Sequence, residues 1–566
     1  MRESGSNSKT ATVRSSLLYL RCRAALRDAV PAWLALAALT SLPYVVAAMR
    51  APGGHVFSGV LTAYDDSFSY LSWIRQGASG RWLMCDLYTS EPHACEFFLP
   101  LWLLLGKISL VSGAPPVWIF HCARLLASLL LLIAARSVAS RLMKSRRRLR
   151  FSLWLYAMSG GIGWLVYLLN NGGKLLNASV TSGSVDLNLP EAIAFRSAFA
   201  QVHFTLGAAL MAFAISLVFR SLQSGKANRA FAGGLLVTLL AVIHPYLVVV
   251  VFAVAVLALV LWPLLDSQQK KAGTGIAVRA GLAFGVAASA GVVYLLYLNR
   301  ASEVLREWLR VTDTLSPHAL EYVAGFGIVM LLAVPGFALL WVIRAPEGRL
   351  LLVWALVQAA LLYAPVSYQR RFVEGLQLPL CVAASVAIFW LMRRLRLARR
   401  PRTILLGALV LVASLTNVGF IIGQVVARGD ASGANDPRRY LSADLAAAMG
   451  WLAANAEHDS VIFSSYLTGN IVPAMTGLRV YLGHYGQTLQ SAEKGARVTA
   501  FYSGELSDES ARALFKENRV SYVIYGPLER GISGEPVVPT WLLLAYTAGD
   551  VRVFKVAERV EAQAKR

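Results

Sequence analysis

Two adjacent acids stand at the head of the stretch TAYDDSFSYLSWIRQGASGRW, Thr62 to Trp82. Two chemistries are open to Asp65 and Asp66. With Ser67 they can cap a helix, accepting its first N–H groups and complementing its dipole. Alternatively, one of them can act as a general base, which needs a carboxylate within hydrogen-bond reach of a hydroxyl. A second pair, Arg370 and Arg371 in APVSYQRRFVEGLQLPL, offers two planar guanidinium forks suited to an anion. Its plainer reading is a pair of cations snorkelling to lipid headgroups. Glu91 and His93 in TSEPHACE can lie beside the aspartates and touch an acceptor, or be ordinary loop charges. Asp186 and Glu191 in VDLNLPEAIAFRS can supply a second acid or a metal ligand, or mark a turn and a helix start around Pro190. Arg196 and His203 can face the same cavity, and His244 reads either as a cavity histidine or as part of a proline turn.

The elements that must position these side chains are membrane helices. Of 566 residues, 57% are hydrophobic and 15% charged, and the mean hydropathy is +0.55. A soluble domain carries about a quarter charged residues, so this is a polytopic membrane protein. The net charge of +23 does not mark a nucleic-acid binder. Its positives sit in short clusters between apolar runs, such as RLMKSRRRLR and MRRLRLARRPR, the pattern of cytoplasmic loops. Anchored on those clusters, eleven spans are expected, at 29–49, 116–140, 151–169, 198–219, 230–244, 246–264, 280–298, 321–343, 350–366, 376–392 and 403–425. The apolar piece Phe97 to Gly113, interrupted by Lys107, is short of the ~20 residues a crossing needs. It is expected to be re-entrant or interfacial. The first span follows a long basic leader and is too long for a signal-peptide core of about 7–15 residues.

This arrangement places residues 1–28 inside, the first loop 50–115 outside, and a tail from about Ala427 to Arg566 outside. Cys85 and Cys95 are the two cysteines that share an oxidising loop, so they can form a disulfide. The tail changes character: LAAAMGWLAANA and SDESARALFKENR read as amphipathic helices, the latter capped by Ser507. SVIFSS, RVYLGH, VSYVIYG and DVRVFKV read as short strands. The tail is therefore expected to be a small α/β domain. It has no nucleotide-binding glycine motif, and the sequon Asn177-Ala178-Ser179 is a motif of chance frequency.

An acidic pair opening the first external loop, then an aromatic-rich helix ending in GRW, resembles the GT-C membrane glycosyltransferases. The continuation YTSEPHACEFFLPLWLLLGKIS and then HCARLLASLLLLIAARSVA is similar to the protein O-mannosyltransferase and aminoarabinose-transferase branch. The resemblance covers roughly Ala29 to Val426, and the chain departs from the mannosyltransferases in having Asp-Asp where Asp-Glu is usual. It implies a polyprenyl-phosphate-linked sugar donor, a glycan, lipid or protein acceptor, and inversion at the transferred sugar. It further implies Asp65 or Asp66 as the base and Arg370 or Arg371 on the lipid phosphate. A divalent metal is left open as a cofactor, and the compact inner loops point to a bacterial plasma membrane. Two other classes compete: a carrier or flippase of lipid-linked saccharides, and a non-catalytic scaffold displaying the tail. Reporter fusions at Gly429 and Gly225 test the sidedness; they should report opposite sides of the membrane, and the same side for both would overturn the arrangement.

Overall fold

The computed structural model describes residues 4–172, 183–265, 270–301, 306, 313–426, 436–534 and 538–557; the sequon at Asn177 lies outside them. The chain divides into two compact units. One comprises residues 1–42, 122–296 and 314–423, the other 43–121, 297–313 and 424–566.

The first unit is helical. All eleven expected spans fall on helices, but fewer of these have the length and composition of a full crossing. Among the described residues, eight helices have the length and composition to span a membrane: Cys22–Met49, Pro116–Ala139, Arg146–Leu169, Val202–Ser224, Tyr246–Leu265, Gly273–Arg300, Ala319–Val342 and Gln369–Arg394. Arg399–Ala413 and Leu415–Val426 would make a ninth, bent by 51°. The other two expected spans are the 17-residue Ala227–Ile243 and the 16-residue Pro346–Leu361. At about 1.5 Å per residue each falls short of a hydrocarbon core about 30 Å thick. The reason for the first is local: His244 leaves helical geometry ahead of Pro245, which cannot continue a helix. Two 3-10 turns, Pro190–Ala192 and Gln369–Val373, carry Glu191 and the two arginines.

The second unit joins the first loop to the tail. The tail holds a five-stranded sheet of order β4-β3-β5-β7-β6: β3 Val461–Phe463, β4 Arg479–Val480, β5 Val520–Tyr525, β6 Leu542–Ala548 and β7 Val551–Val556. β3 runs parallel to β4 and β5, and β7 is antiparallel to β5 and β6. Helices cover it around a core built on Phe463, Tyr481, Phe501, Tyr502 and Phe515. Ser507 caps its helix by accepting the Ser510 N–H. The first loop is stitched to this domain by backbone pairing. β1 His55–Phe57 lies antiparallel to β2 Tyr440–Ser442, and Val480 N–H donates to Leu87 O at 2.9 Å.

Inside the first loop, the helix Tyr64–Ala78 crosses the 13-residue helix Pro100–Ser112. At about 1.5 Å per residue the latter is also too short to cross a membrane. The crossing is backbone-close because both contact points are glycines. A Cβ on Gly77 would sit 2.3 Å from Leu103 O, and one on Gly106 would sit 2.1 Å from Ile74 O. Gln76 pins the far end, accepting from Cys85 N at 2.9 Å and donating to Cys85 O at 3.0 Å, and Cys85 is disulfide-bonded to Cys95. Gly106→Ala should therefore destabilise the protein by about 1–3 kcal/mol, as overpacking does. Gly53→Ala in the same loop, where a Cβ meets nothing, should leave the thermal midpoint unchanged. Equal midpoints for both variants would refute the close crossing.

Candidate functional site

The acid helix Tyr64–Ala78 starts after Ala63, a left-handed residue that makes no side-chain cap. The acids therefore sit in the first turn, where they still complement the dipole, but the Asp65 side chain is used elsewhere. Its Oδ1 accepts the Tyr466 hydroxyl at 2.5 Å and Arg438 Nη1 at 3.1 Å. Asp65 Oδ2 has no hydrogen bond among the described residues, and the side chain is 25% exposed. Both partners are themselves fixed. Arg438, 7% exposed, makes a two-pronged pair with Asp436 at 2.9 and 2.6 Å and donates to Asn470 Oδ1 at 2.9 Å. Burial opposes its charge, but the Asp436 and Asp65 carboxylates outweigh that and push its pKa up. The Tyr466 oxygen accepts from Tyr485 N at 3.2 Å. Burial, then the bond to Asp65, raises its pKa, so it stays a donor. Asp66, 45% exposed, faces His484 Nε2 at 3.8 Å.

In the helical unit, Glu191 is 2% exposed and receives both arginines: Arg371 Nη1 lies 3.4 Å and Arg370 Nε 3.7 Å from its Oε1. Next in this cluster, His244 Nε2 meets Glu374 Oε2 at 2.8 Å, and the His203 and His244 rings are 5.0 Å apart. Gly207 leaves room for the pair, since a Cβ there would come within 3.0 Å of both side chains.

No protein-family model matches this sequence, and no curated protein matches it. Solved structures do. ArnT from Cupriavidus metallidurans bound to undecaprenyl phosphate aligns over 94% of this chain and 98% of its own, at a TM-score of 0.52 and 12% identity. Its apo state aligns over 96% and 98%, at 0.50 and 12%. The oligosaccharyltransferase of Archaeoglobus fulgidus, in complex with Zn and sulfate, covers 87% of this chain and 67% of its own, at 0.50 and 12%. The chain has the GT-C fold. At this identity the likeness is one of fold alone.

Within that fold the remaining candidates have structural partners. Glu91 is paired with Lys494 at 2.8 Å and accepts from Thr89. His93 accepts from Asp86 N at 3.1 Å and bonds Glu91 O at 2.9 Å through its other nitrogen. Both fasten the disulfide loop. Asp186 is fully buried and accepts from Gly161 N at 2.7 Å, Gly163 N at 3.3 Å and the Ser184 hydroxyl. It thereby holds a turn in the helical unit, while burial raises its pKa. Arg196 donates to Leu187 O at 3.0 Å and lies 3.5 Å over the Phe420 ring. Among the described residues no group of three or more His, Cys, Asp or Glu could hold a metal ion.

Sequence reasoning missed Tyr466, Arg438, Asn470, His484 and Glu374. Only Arg438, in the run DPRRYL, carried a visible sign, two arginines on the side expected to be external. Glu374 lies in the same stretch as Arg370 and Arg371, His484 ends the strand RVYLGH, and Tyr466 and Asn470 follow the strand SVIFSS without a chemical motif.

One loop acid makes a pH dependence. Burial raises the Asp86 carboxyl to about 7, against a bond from Tyr88 N that lowers it. Between about pH 4 and 7 the unfolded chain has lost this proton while the folded one keeps it, so stability falls as pH rises through that window. The thermal midpoint should drop from pH 5 to pH 8, and Asp86→Asn, which keeps the acceptor oxygen for Tyr88, should flatten that drop. An unchanged slope would show that Asp86 is not its source.

Proposed function

We propose that this protein is an inverting membrane glycosyltransferase. It takes a sugar from a polyprenyl-phosphate carrier and passes it to a hydroxyl acceptor outside the membrane, with Asp65 as the base. The observation that carries the reading is the state of Asp65: one oxygen locked by Tyr466 and Arg438, the other open, on a partly exposed side chain. A carboxylate held in one orientation is prepared for proton abstraction without searching for its rotamer. The GT-C fold supports the reading, as does the undecaprenyl phosphate bound by ArnT.

The chemistry follows. The acceptor hydroxyl donates to Asp65 Oδ2. As its oxygen bonds to the anomeric carbon, the proton passes to Asp65 and the sugar–phosphate bond breaks. The electron pair leaves on the lipid phosphate, and a single displacement inverts the anomeric centre. The resemblance assigns a lipid phosphate to Arg370 and Arg371, whose contacts to Glu191, at 3.7 and 3.4 Å, are longer than the ~2.7–2.9 Å of a tight charge-assisted bond. The basic inner loops support an external tail, and the reading places the protein in a bacterial plasma membrane.

A second reading, a carrier of lipid-linked saccharides, draws on the buried His203, His244 and Glu374, since intramembrane ionisable groups mark transport paths. One assay separates the two: transfer from a panel of polyprenyl-phosphate sugars in membranes. Asp65→Asn keeps an oxygen for Tyr466 and Arg438 but should cost about 10²-fold or more in turnover. Arg371→Lys should raise the apparent KM for donor, because a point charge replaces a fork. Full transfer by Asp65→Asn would refute the base, and donor translocation without any transfer would favour the carrier.

A further inference from the structure

The basic end of the helical unit holds a charge cluster that the transfer reaction does not use. Asp28, on Cys22–Met49 and 4% exposed, is met by three guanidiniums. Arg146 Nε lies 2.8 Å from its Oδ1, Arg136 Nε 3.1 Å from its Oδ2, and Arg150 Nε 3.5 Å from Oδ1. Arg136 sits in the last turn of Pro116–Ala139, and Arg146 and Arg150 open Arg146–Leu169. Arginines that merely snorkel extend singly toward water. These converge on one buried carboxylate, and their charges exceed its own. The forks are also unevenly used. Arg150 donates Nη2 to Arg27 O at 2.9 Å. Arg136 and Arg146 reach Asp28 through Nε alone, and among the described residues their Nη groups make no hydrogen bond. Their side chains are 22% and 42% exposed, so both can be reached from outside.

We infer that Arg136 and Arg146 form a site for the phosphate of an anionic phospholipid. Asp28 supplies the preorganisation: one oxygen for each Nε holds two planar forks beside each other without occupying their Nη donors. A guanidinium fork matches phosphate oxygens and is weakly hydrated, and basic clefts between membrane helices bind acidic headgroups. The surroundings favour a lipid over a free anion. Arg147 Nη2 donates to Thr403 Oγ1 at 2.6 Å, which brings Arg399–Ala413 alongside. There Ile404 is 72% exposed, and on the Asp28 helix Leu34 is 55% exposed, apolar faces on which acyl chains can lie. The site is separate from the Arg370-Arg371 pair. Arg148, between Arg146 and Arg150, lies 5.6 Å over the Phe389 ring, toward the end of Gln369–Arg394 remote from that pair.

The test uses the full chain in detergent, titrated with phosphatidylglycerol, with bound lipid counted by native mass spectrometry. In Arg136→Lys with Arg146→Lys, each ammonium keeps the charge and the pair to Asp28 but spends its one cationic head there. Phosphatidylglycerol binding should weaken about tenfold, the loss of roughly one charge-assisted hydrogen bond, with an unchanged thermal midpoint in detergent alone. Arg146→Lys by itself should lose about threefold, and it keeps the proposal refutable if the double variant fails to fold. Arg399→Lys with Arg400→Lys makes the same change at two exposed arginines and should bind within about twofold of native, because charge is conserved. An excess of sn-glycerol 3-phosphate should leave the bound lipid in place. Equal affinity of native protein and both cluster variants, or an equal loss in the Arg399 and Arg400 control, would show that charge alone draws the lipid and overturn the site. Displacement by glycerol phosphate would overturn the lipid and leave a soluble anion.

Discussion

The candidate acid site hangs on the grip of Tyr466 and Arg438 on one oxygen of Asp65. A partly exposed carboxylate in the first turn of a helix would ordinarily turn toward water or toward the helix's own N–H groups. Here a charged donor and a phenol on the other side hold it, and each is held in turn by something behind it. Arg438 is forked onto Asp436, and Tyr466 receives the Tyr485 N–H. Removing one partner of a buried charge pair costs about 3–5 kcal/mol because the other is left uncompensated. The arrangement therefore stands or falls as a set.

The rest of the second unit supplies the precision that this set needs. The acid helix is seated on its neighbour through two glycines, with no side chain to act as a spacer. Its far end is tied by Gln76 to the disulfide loop. That loop in turn adds Leu87 to the edge of the tail sheet and sends the Tyr88 hydroxyl to Asn470 O. Glu91 and His93, chemically attractive as isolated residues, are the fasteners of this loop. The polar groups of the helical unit obey the same economy. Asp186 holds a turn, and Glu191 collects two arginines.

Much of this was legible in the chain. Hydropathy and the clustering of positive charge establish a polytopic helical membrane protein, because a bilayer leaves few other ways to satisfy backbone hydrogen bonds. The Asp65-Asp66 pair and the Arg370-Arg371 pair stand out because charges are costly near apolar runs. The tail's alternating strands and the Ser507 cap are local signals, and local signals survive in sequence. The number of full crossings was less legible. Ala227–Ile243 and Pro346–Leu361, at 17 and 16 residues, are the two expected spans whose helices are shortest.

What the sequence by itself determined is therefore the class, the helical segments, the tail's α/β composition and the residues able to do acid–base or anion chemistry. Each follows from composition or from periodicity within a few residues. Only the tertiary structure decided which of those residues share a site. Asp65 meets Tyr466 across 401 positions and Arg438 across 373, and Glu191 meets Arg371 across 180. A Tyr in one helix or a His in one turn bears no mark of such a meeting, because a hydrogen bond depends on position in space and carries no trace of chain separation.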